Sequence, residues 1–342
     1  MKILLDVYGA DHSPDEFILG AKAALAEVAD LSMVLVGKED EINAKLVEYS
    51  CDKTRIEIVH APDVVVNEDV PTEAIRNKKE SSMVRGLDLL NTREDICGMI
   101  TAGSTGAALT GATLKIGRLA GVRRAALAPV LPTTDGGRCC LIDGGANVES
   151  TPEFLTQFAI MGISYMQAIY GIQNPRVALV SNGTEDKKGN NLVQETFKLL
   201  KAMPINFVGN MEATDSLSGK YDVIVCDGFV GNVLLKSLEG SRKVFLDLMK
   251  GALKSNARSK MGALLVKPAL KKMLKTLGTD ELGAAAFLGC KKLIAKAHGN
   301  SKQKQIRAAI LQVEQMARAS LVEKMADQIV KLNASVGQSV AQ

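Results

Sequence analysis

The sequence predicts an α/β protein built around a largely parallel sheet. Short apolar runs typical of buried strands alternate with segments whose apolar residues recur at helical spacing. The pattern begins with the strand-like run Lys2–Asp6, which is followed by a helical segment over residues 14–28. Strands separated by helices are joined by right-handed crossovers, which make the strands parallel. At 342 residues, the chain can form one large unit or two lobes.

The remaining elements follow in order. Ser13 as N-cap, Pro14 at the first helical position and Glu16 at the third predict the start of the first helix. Further strands are predicted at residues 31–36, 56–60, 96–100, 139–143, 176–181, 205–208 and 221–226. Helices are predicted at 39–49, after 106, at 152–170 with Ser150 or Thr151 as cap, at 192–202, from about 232 to 256, and at 301–332. A disordered tail is expected over 333–342.

Composition excludes several classes of protein. The 46% of hydrophobic residues is typical of a globular chain, and no apolar run approaches the 18 residues of a membrane span. The first residues do not resemble a signal peptide. Six scattered cysteines lack metal-ligand spacing, and Cys139 and Cys140 are expected to be buried thiols in a reducing cytosol. The absence of tryptophan disfavours nucleic-acid binding, and with a net charge of only +4 an acidic partner requires a local basic cluster.

Polar, glycine-containing loops follow four of the predicted strands. They are Thr101-Ala-Gly-Ser-Thr-Gly106, Asp143-Gly-Gly-Ala-Asn147, Asn182-Gly-Thr-Glu-Asp-Lys-Lys-Gly-Asn-Asn191 and Asp227-Gly-Phe-Val-Gly-Asn232. Loops between a strand and a helix present backbone N–H groups that hold anions, and in parallel sheets such loops meet at one edge. We therefore predict one shared crevice for an anionic group such as phosphate. Each loop alone is also typical of an ordinary turn. No dinucleotide or Walker motif is present.

These residues resemble a known family, the phosphate:acyl-(acyl carrier protein) acyltransferases called PlsX. The matching segments cover residues 1 to about 325 in the family's order, and they are Asp6-Val-Tyr-Gly-Ala-Asp-His-Ser-Pro14, Ala102-Gly-Ser-Thr-Gly-Ala107, Leu127-Ala-Pro-Val-Leu-Pro-Thr133, Asp143-Gly-Gly-Ala-Asn147, Pro152-Glu-Phe-Leu-Thr-Gln-Phe-Ala159, Asn182-Gly-Thr-Glu-Asp-Lys-Lys-Gly-Asn190, Cys226-Asp-Gly-Phe-Val-Gly-Asn-Val233 and Ala297-His-Gly-Asn-Ser301. The chain departs from the family's Met-Gly-Gly at Tyr8-Gly9-Ala10 and from its Asn-Thr-Gly at Ser104-Thr105-Gly106.

The resemblance implies transfer of a fatty acyl group from an acyl carrier protein thioester to inorganic phosphate, giving an acyl phosphate for phospholipid synthesis. A glycerol-3-phosphate acyltransferase would act next, and no cofactor is implied. The implied fold is a Rossmann-like three-layer α/β/α sandwich, related to isocitrate dehydrogenases and phosphate acetyltransferases. It would form a single unit over residues 1–332 and a homodimer, cytoplasmic and peripherally attached to the inner membrane surface.

Phosphate is already anionic at neutral pH, so this chemistry needs a cradle and oxyanion donors rather than a nucleophilic triad. We assign Lys188 to face phosphate and Asn232 to donate to the carbonyl oxygen. The other candidate binding residues lie in the loops after strands: Asp6, Gly9, Asp11, Gly103, Ser104, Thr105, Gly106, Asp143, Asn147, Asn182, Gly183, Thr184, Glu185, Gly189, Asn190, Asp227, Gly228 and His298.

Structural alternatives remain for four of these residues. Asp6, Asp143 and Asp227 could instead accept helix N-terminal N–H groups, and His298 could cap a helix that begins near residue 301. His60 is expected in the core. Because no cluster of ligands has suitable spacing, no metal is expected.

A basic segment lies between Asp247 and Asp280, with eight Lys or Arg residues and no acid. Pro268 is expected to begin a new helix after a break, which would place Leu264, Leu265 and Val266 at an exposed tip. Lys267, Lys271 and Lys272 accompany this tip. The amphipathic segment, about residues 257–278, could attach to an anionic bilayer, dock acidic acyl carrier protein, or pack on a dimer partner.

Three alternatives to the implied activity are a phosphate acetyltransferase that uses coenzyme A, a dehydrogenase of the related fold, and a catalytically silent membrane-bound scaffold. The missing dinucleotide motif disfavours the dehydrogenase. Ala10 and Ser104 depart from the family pattern, so the scaffold remains an alternative.

Overall fold

The computed structural model describes residues 1–12, 14–276 and 283–340, so the N-cap predicted at Ser13 lies outside the described residues. The strands are β1 (Lys2–Asp6), β2 (Ser32–Gly37), β3 (Ile56–His60), β4 (Ile96–Thr101), β5 (Ala126–Ala128), β6 (Val130–Pro132), β7 (Arg138–Ile142), β8 (Val177–Val180), β9 (Phe207–Met211), β10 (Val223–Val225), β11 (Ala285–Leu288) and β12 (Leu293–Lys296). The helices are α1 (Asp15–Glu27), α2 (Glu39–Glu48), α3 (Pro71–Asn77), α4 (Ser82–Thr92), α5 (Thr105–Gly111), α6 (Pro152–Tyr170), α7 (Asn191–Ala202), α8 (Gly228–Lys254), α9 (Ala257–Thr276), α10 (Gln303–Arg318) and α11 (Leu321–Val340).

The strands form two sheets with mostly parallel neighbours. The seven-stranded sheet has the order β3-β2-β1-β4-β12-β11-β5, with only β11 antiparallel to the strands beside it. The five-stranded sheet has the order β6-β7-β10-β8-β9, with β6 antiparallel to β7. The predicted α/β class with a mostly parallel sheet is confirmed. The division into two sheets was not part of the prediction.

One continuous core joins the two sheets. The long helix α6 is buried along most of its length and contacts β7 and β10 as well as α7, α10 and α11. Phe158 and Tyr165 on this helix are fully buried in the same apolar cluster as Ile3 and Leu5 of β1. Thr151 caps α6 by accepting the N–H of Phe154, which confirms the cap predicted there. The core therefore fixes the two strand edges that carry the glycine-rich loops.

Several predicted boundaries are wrong. The single helix expected over 301–332 is two helices, because the chain turns at Ser320, whose φ is 51°. The second of them extends to Val340, into the segment expected to be a tail. His60 is exposed rather than buried, and its Nδ1 accepts the N–H of Glu39 at the start of α2. Cys139 and Cys140 are buried free thiols, as expected.

The break predicted at Pro268 is also misplaced. The chain turns at Ser255 and Asn256, and Pro268 lies inside the continuous helix α9. Asn256 caps this helix by accepting the N–H of Ser259 at 2.8 Å, which supplies the start signal that we had attributed to the proline. Leu264 and Leu265 are nevertheless strongly exposed, at 70% and 83%, on the side of α9 rather than at its tip.

Candidate active site

Three loops meet at the carboxyl edge of the seven-stranded sheet. Gly9 has a φ of +82°, and a Cβ there would lie 3.1 Å from Cα of Gly103, so these two loops approach to backbone contact. The N–H of Asp11 donates to the carbonyl of Gly299 at 3.0 Å, which adds the loop after β12. The structure thus brings together Gly9, Asp11 and Gly103 beside the loop that carries His298.

The end of α5 next to these loops accounts for one departure from the family pattern. Ser104 is the N-cap of this helix, and its hydroxyl accepts the N–H of Ala107 at 3.4 Å. Serine and asparagine are both favoured N-caps, so serine preserves the local structure that asparagine provides. Thr105 and Gly106 are exposed in the first turn.

A buried polar network beneath this edge includes a residue that the sequence analysis missed. Asp6 is buried and accepts hydrogen bonds from the Thr101 hydroxyl at 2.8 Å and from the Ser82 side chain, and burial raises the pKa of Asp6 to about 6. Lys296 ends the neighbouring strand β12, and its Nζ donates to the carbonyls of Ala102 and Ala297 at 3.2 and 2.5 Å. The sequence did contain a signal for Lys296: a lysine at the end of an apolar strand, directly before Ala297-His298.

Lys296 is a buried lysine whose pKa depends on charges from both sheets. Burial lowers the pKa of Lys296 to about 8, the charge of Asp6 opposes that effect, and Lys236 of α8 lowers the pKa further. Lys236 itself pairs with Glu239 at 2.8 Å, one turn further along α8.

The loop after β7 is folded around Asp143. Its carboxylate accepts the N–H groups of Leu127, Gly145, Ala146 and Asn147, at 2.7 to 3.0 Å, and the side-chain amide of Asn147 at 2.8 Å. Burial raises the pKa of Asp143, and these hydrogen bonds oppose the rise. The Asn147 amide also donates to Ala125 O, so Asp143 and the Asn147 amide shape the loop. For Asp143 this favours a structural role, although its N–H partners belong to β5 and to its own loop rather than to a helix N-terminus.

The first turn of α8 packs directly on that loop. Asp227 is the N-cap of α8 and accepts the N–H of Val230 at 2.9 Å, as in the structural alternative considered for it. The N–H of Gly228 donates to Asn147 O at 2.7 Å. A Cβ on Gly228 would lie 2.6 Å from Asn147 O, so only glycine permits this approach. Asn232, one turn further along α8, is exposed, and its Cβ lies 3.3 Å from the Cβ position of Gly145.

The loop after β8 is organised by two asparagines. Asn182 Oδ1 accepts the N–H of Gly189, whose φ is +100°, and Asn190 caps α7 by accepting the N–H of Val193. The stem of Lys188 lies over Gly183, with Cγ 2.8 Å from the Cβ position of that glycine, and the lysine is exposed. Thr184 and Glu185 are exposed on the same loop. Each of these contacts lies within the loop and the first turn of α7.

The predicted residues therefore form two groups. Gly9, Asp11, Gly103, Ser104 and the loop of His298 lie on one sheet, and Asp143, Asn147, Asp227, Gly228 and Asn232 on the other. The groups meet where the Leu127 N–H of β5 donates to Asp143 and the Gly144 N–H donates to Leu127 O at 2.7 Å. The loop of Lys188 joins the second group through strand order, since β8 pairs with β10 beside β7.

His298 is exposed, and its Nδ1 accepts the N–H of Asn300 at 3.3 Å. The N-cap of α10 is Lys302, so His298 does not cap that helix, and the structural alternative considered for it is wrong. Within the described residues, no three His, Cys, Asp or Glu side chains are grouped so that they could hold a metal ion.

Comparison with known proteins decides the family. The pattern of the family described as Fatty acid synthesis protein matches residues 1–324. The chain is 43% identical over 323 residues to a phosphate acyltransferase of Bacillus cereus, covering 94% of this chain and 96% of that protein. The chain belongs to the phosphate acyltransferase family. A phosphate acyltransferase of Clostridium acetobutylicum is 40% identical over 333 residues, covering 97% of this chain and 100% of that protein.

The family resemblance drawn from the motifs is thus confirmed, and the protein is an acyl-transferring enzyme. Solved structures share its fold. A phosphotransacetylase from Streptococcus pyogenes has a TM-score of 0.60 at 17% identity and covers 93% of this chain and 94% of its own. A branched-chain phosphotransacylase from Enterococcus faecalis has a TM-score of 0.57 at 14% identity, with 92% and 99% covered. The predicted relation to the phosphate acetyltransferase fold is confirmed.

The segment predicted to face a membrane or a carrier protein is exposed. On α9, Leu264, Leu265 and Val266 have 70%, 83% and 44% of their surface exposed, and Lys267, Lys271 and Lys272 are exposed beside them. Among the described helices, none combines the length and apolar character that crossing a bilayer requires.

Proposed function

We propose that this phosphate acyltransferase takes a fatty acyl group from acyl carrier protein and transfers it to inorganic phosphate. A phosphate oxygen attacks the thioester carbonyl carbon, the carbon–sulfur bond breaks, and the carrier thiolate leaves. The new bond joins the acyl carbon to a phosphate oxygen, which gives an acyl phosphate for phospholipid synthesis. A glycerol-3-phosphate acyltransferase is the proposed consumer of this product.

One observation carries the proposal: glycine-rich loops from both sheets meet where the Leu127 N–H donates to Asp143 and the Gly144 N–H donates to Leu127 O. The buried ammonium of Lys296 ends β12 in the same sheet as Leu127, and a bound phosphate would offset the cost of burying that charge. Lys236 of α8 contributes less, because Glu239 already pairs with it at 2.8 Å. The first turn of α8 has fewer N–H groups available to bind phosphate. The Gly228 N–H already donates to Asn147 O, and the Val230 N–H already donates to Asp227.

Lys188 and Asn232 are the proposed catalytic residues. Lys188 is exposed and would hold the attacking phosphate by charge, while Asn232 would donate its side-chain N–H to the oxyanion that develops on the thioester carbonyl. Their side chains pack over Gly183 and Gly145, in the space that a Cβ on either glycine would occupy. Loss of one such donor typically lowers kcat by about a hundredfold or more.

The test measures acyl phosphate formed from acyl carrier protein thioesters and from coenzyme A thioesters. We expect Lys188→Ala and Asn232→Ala to reduce turnover on the protein-bound donor by about a hundredfold. Lys187→Ala is the matched control, because the neighbouring lysine is equally exposed and its side chain has no assigned role. Full activity of Lys188→Ala would remove that residue from the site.

The two donors separate the remaining alternatives. A preference for coenzyme A thioesters would make the protein a phosphate acetyltransferase-like enzyme. No acyl phosphate from either donor would refute the proposed reaction.

Peripheral membrane attachment through α9 is also proposed. Its exposed leucines would enter the interface, and the nearby lysines would lie at anionic headgroups. We expect Leu264→Glu/Val266→Glu to abolish binding to vesicles of anionic phospholipid, whereas Leu114→Glu, which changes an exposed leucine outside this segment, should leave it intact. Unchanged binding of the double variant would reject attachment through α9.

A homodimer is also proposed, with an interface formed by α8 and the adjoining α9. On α8, Val244, Phe245 and Leu248 are 59% to 70% exposed, which is unusual for a monomer surface. A second copy would cover them. Sedimentation of Phe245→Glu/Leu248→Glu as a monomer, against a dimeric wild type, would support this interface; dimers of the variant would refute it.

A further inference from the structure

A second concave feature lies beside the candidate active site. It is a cleft of about 400 Å³ between α5 with its following turn and the segment 146–149. Asn147 lines the cleft and belongs to the loop that faces Asn232 through Gly145, so the cleft borders the proposed reaction centre.

The walls of the cleft are amphipathic. Leu109, Leu114 and Val148 provide apolar surface, and the side chains of Leu114 and Val148 are 58% and 67% exposed. Thr110 and Thr113 also line it. Residues 112–116 form a π-helical turn, a rare local structure that recurs at functional sites. Such walls fit a chain in which methylene groups alternate with amides.

Part of the cleft lining is basic. Arg118 and Arg124 line it, and Lys291 lies next to Gly117, with Nζ 3.8 Å from the Cβ position of that glycine. Within the described chain, none of these three cations forms a salt bridge, and Glu149 is the one carboxylate that lines the cleft. Arg123 differs, because Glu153 pairs with it at 3.0 Å. We call the surface formed by Arg118, Arg124 and Lys291 the basic rim.

We propose that the basic rim docks the acidic acyl carrier protein and that the cleft receives its 4′-phosphopantetheine arm. The inference rests on the proposed thioester donor. The arginines would pair with the phosphodiester and with carboxylates of the carrier, while the apolar walls and threonine hydroxyls would contact the pantetheine chain. The thioester would then lie at the loop 143–147, beside Asn232. Docking at this rim leaves α9 to the membrane.

The test compares two donors that carry the same acyl group, acyl carrier protein and acyl-pantetheine, which lacks both the protein and the phosphate. We expect Arg118→Glu/Arg124→Glu to raise KM for acyl carrier protein about tenfold or more, with kcat within about twofold and KM for acyl-pantetheine unchanged. The rise of wild-type KM with salt should flatten in this variant, since the screened attraction is gone. A folding defect would instead lower activity on both donors.

Two further variants complete the design. Thr110→Phe, which fills the cleft, should raise KM for both donors. Lys324→Glu/Lys331→Glu reverses two exposed charges on α11 and is the matched control, with KM unchanged for both. Unchanged KM for acyl carrier protein in the arginine variant, or a larger rise in Lys271→Glu/Lys272→Glu, would overturn docking at the rim. Unchanged kinetics of Thr110→Phe would overturn the route of the arm. Failure of the wild type to form acyl phosphate from either donor would instead refute the proposed function.

Discussion

Replacing Lys296 by methionine should change how the free energy of unfolding depends on pH. Burial lowers the pKa of this lysine from its ordinary 10.5 to about 8. At roughly 1.4 kcal/mol per pH unit, the charged form costs the folded protein about 3 kcal/mol, an upper value because the side chain keeps some contact with solvent. Methionine has nearly the same shape and no charge, so the variant lacks this cost.

The sign follows from the two pKa values. Between pH 8 and 10.5 the unfolded chain binds more protons at Lys296 than the folded one does, so the wild type gains stability as the pH rises through this window. At pH 7 the whole cost is present. The variant's free energy of unfolding relative to wild type should therefore fall by up to about 3 kcal/mol between pH 7 and 10.5. The lost hydrogen bonds to Ala102 and Ala297 add an offset that does not depend on pH.

Urea denaturation followed by circular dichroism at pH 7, 8, 9 and 10 measures this difference. Titrating groups that do not interact with Lys296 contribute equally to both proteins and cancel, and Asp6, which does interact with it, has a pKa of about 6, below this range. Lys324→Met, at an exposed lysine of α11, is the control and should differ from wild type by the same amount at every pH. A difference between Lys296→Met and wild type that stays constant from pH 7 to 10 would refute the placement of a buried ammonium at the end of β12.

Three further predictions concern stability. Gly231→Ala should cost several kcal/mol in thermal unfolding, because its Cβ would lie 1.9 Å from Asp143 O, whereas Gly240→Ala on the same helix meets nothing within 4 Å and should be neutral or slightly stabilising; equal effects would contradict the packing of α8 on the loop. Asp6→Asn should gain stability relative to wild type as the pH rises from 3.8 to about 6, since burial raises the pKa of Asp6; urea midpoints across that range measure it, and no trend would refute the burial. Asp227→Ala should lose about 1 kcal/mol in urea denaturation and Asp227→Ser much less, because serine keeps the cap; equal losses would argue against capping.

Local signals predicted much of the fold and part of the site. The alternation of apolar strands and helices, the cap at Thr151 and the glycine-rich loops are properties of neighbouring residues, so spacing reveals them. The helix cap at Asp227 was visible for the same reason, because an acid just before a helix accepts an N–H group of its first turn. Asp143 instead accepts N–H groups of its own loop and of β5. The helix start predicted at Pro268 was wrong, because Asn256, twelve residues earlier, caps the helix that contains this proline.

The rest of the site depends on contacts between distant segments. Lys296 acquires its character from Asp6, about 290 residues away in sequence, and from Lys236 on a helix of the other sheet. The cleft at Arg118 and Arg124 depends on how α5 faces the loop after β7. The spacing of apolar residues does not reveal contacts between distant segments. The family resemblance located the motifs but did not show which other residues lie beside them.

The single residue between β5 and β6 has a consequence for how the enzyme turns over. Strand β5 belongs to one sheet and β6 to the other, so the backbone crosses between them at Pro129, where the ring restricts φ. Gly144 packs against that ring, and Leu141 donates its N–H to the Pro129 carbonyl at 3.0 Å. A hinge needs a few backbone positions that are free to rotate, and this crossing offers little such freedom. The two sheets should therefore move little relative to one another at this crossing, so any opening of the crevice has to take place around it rather than through it.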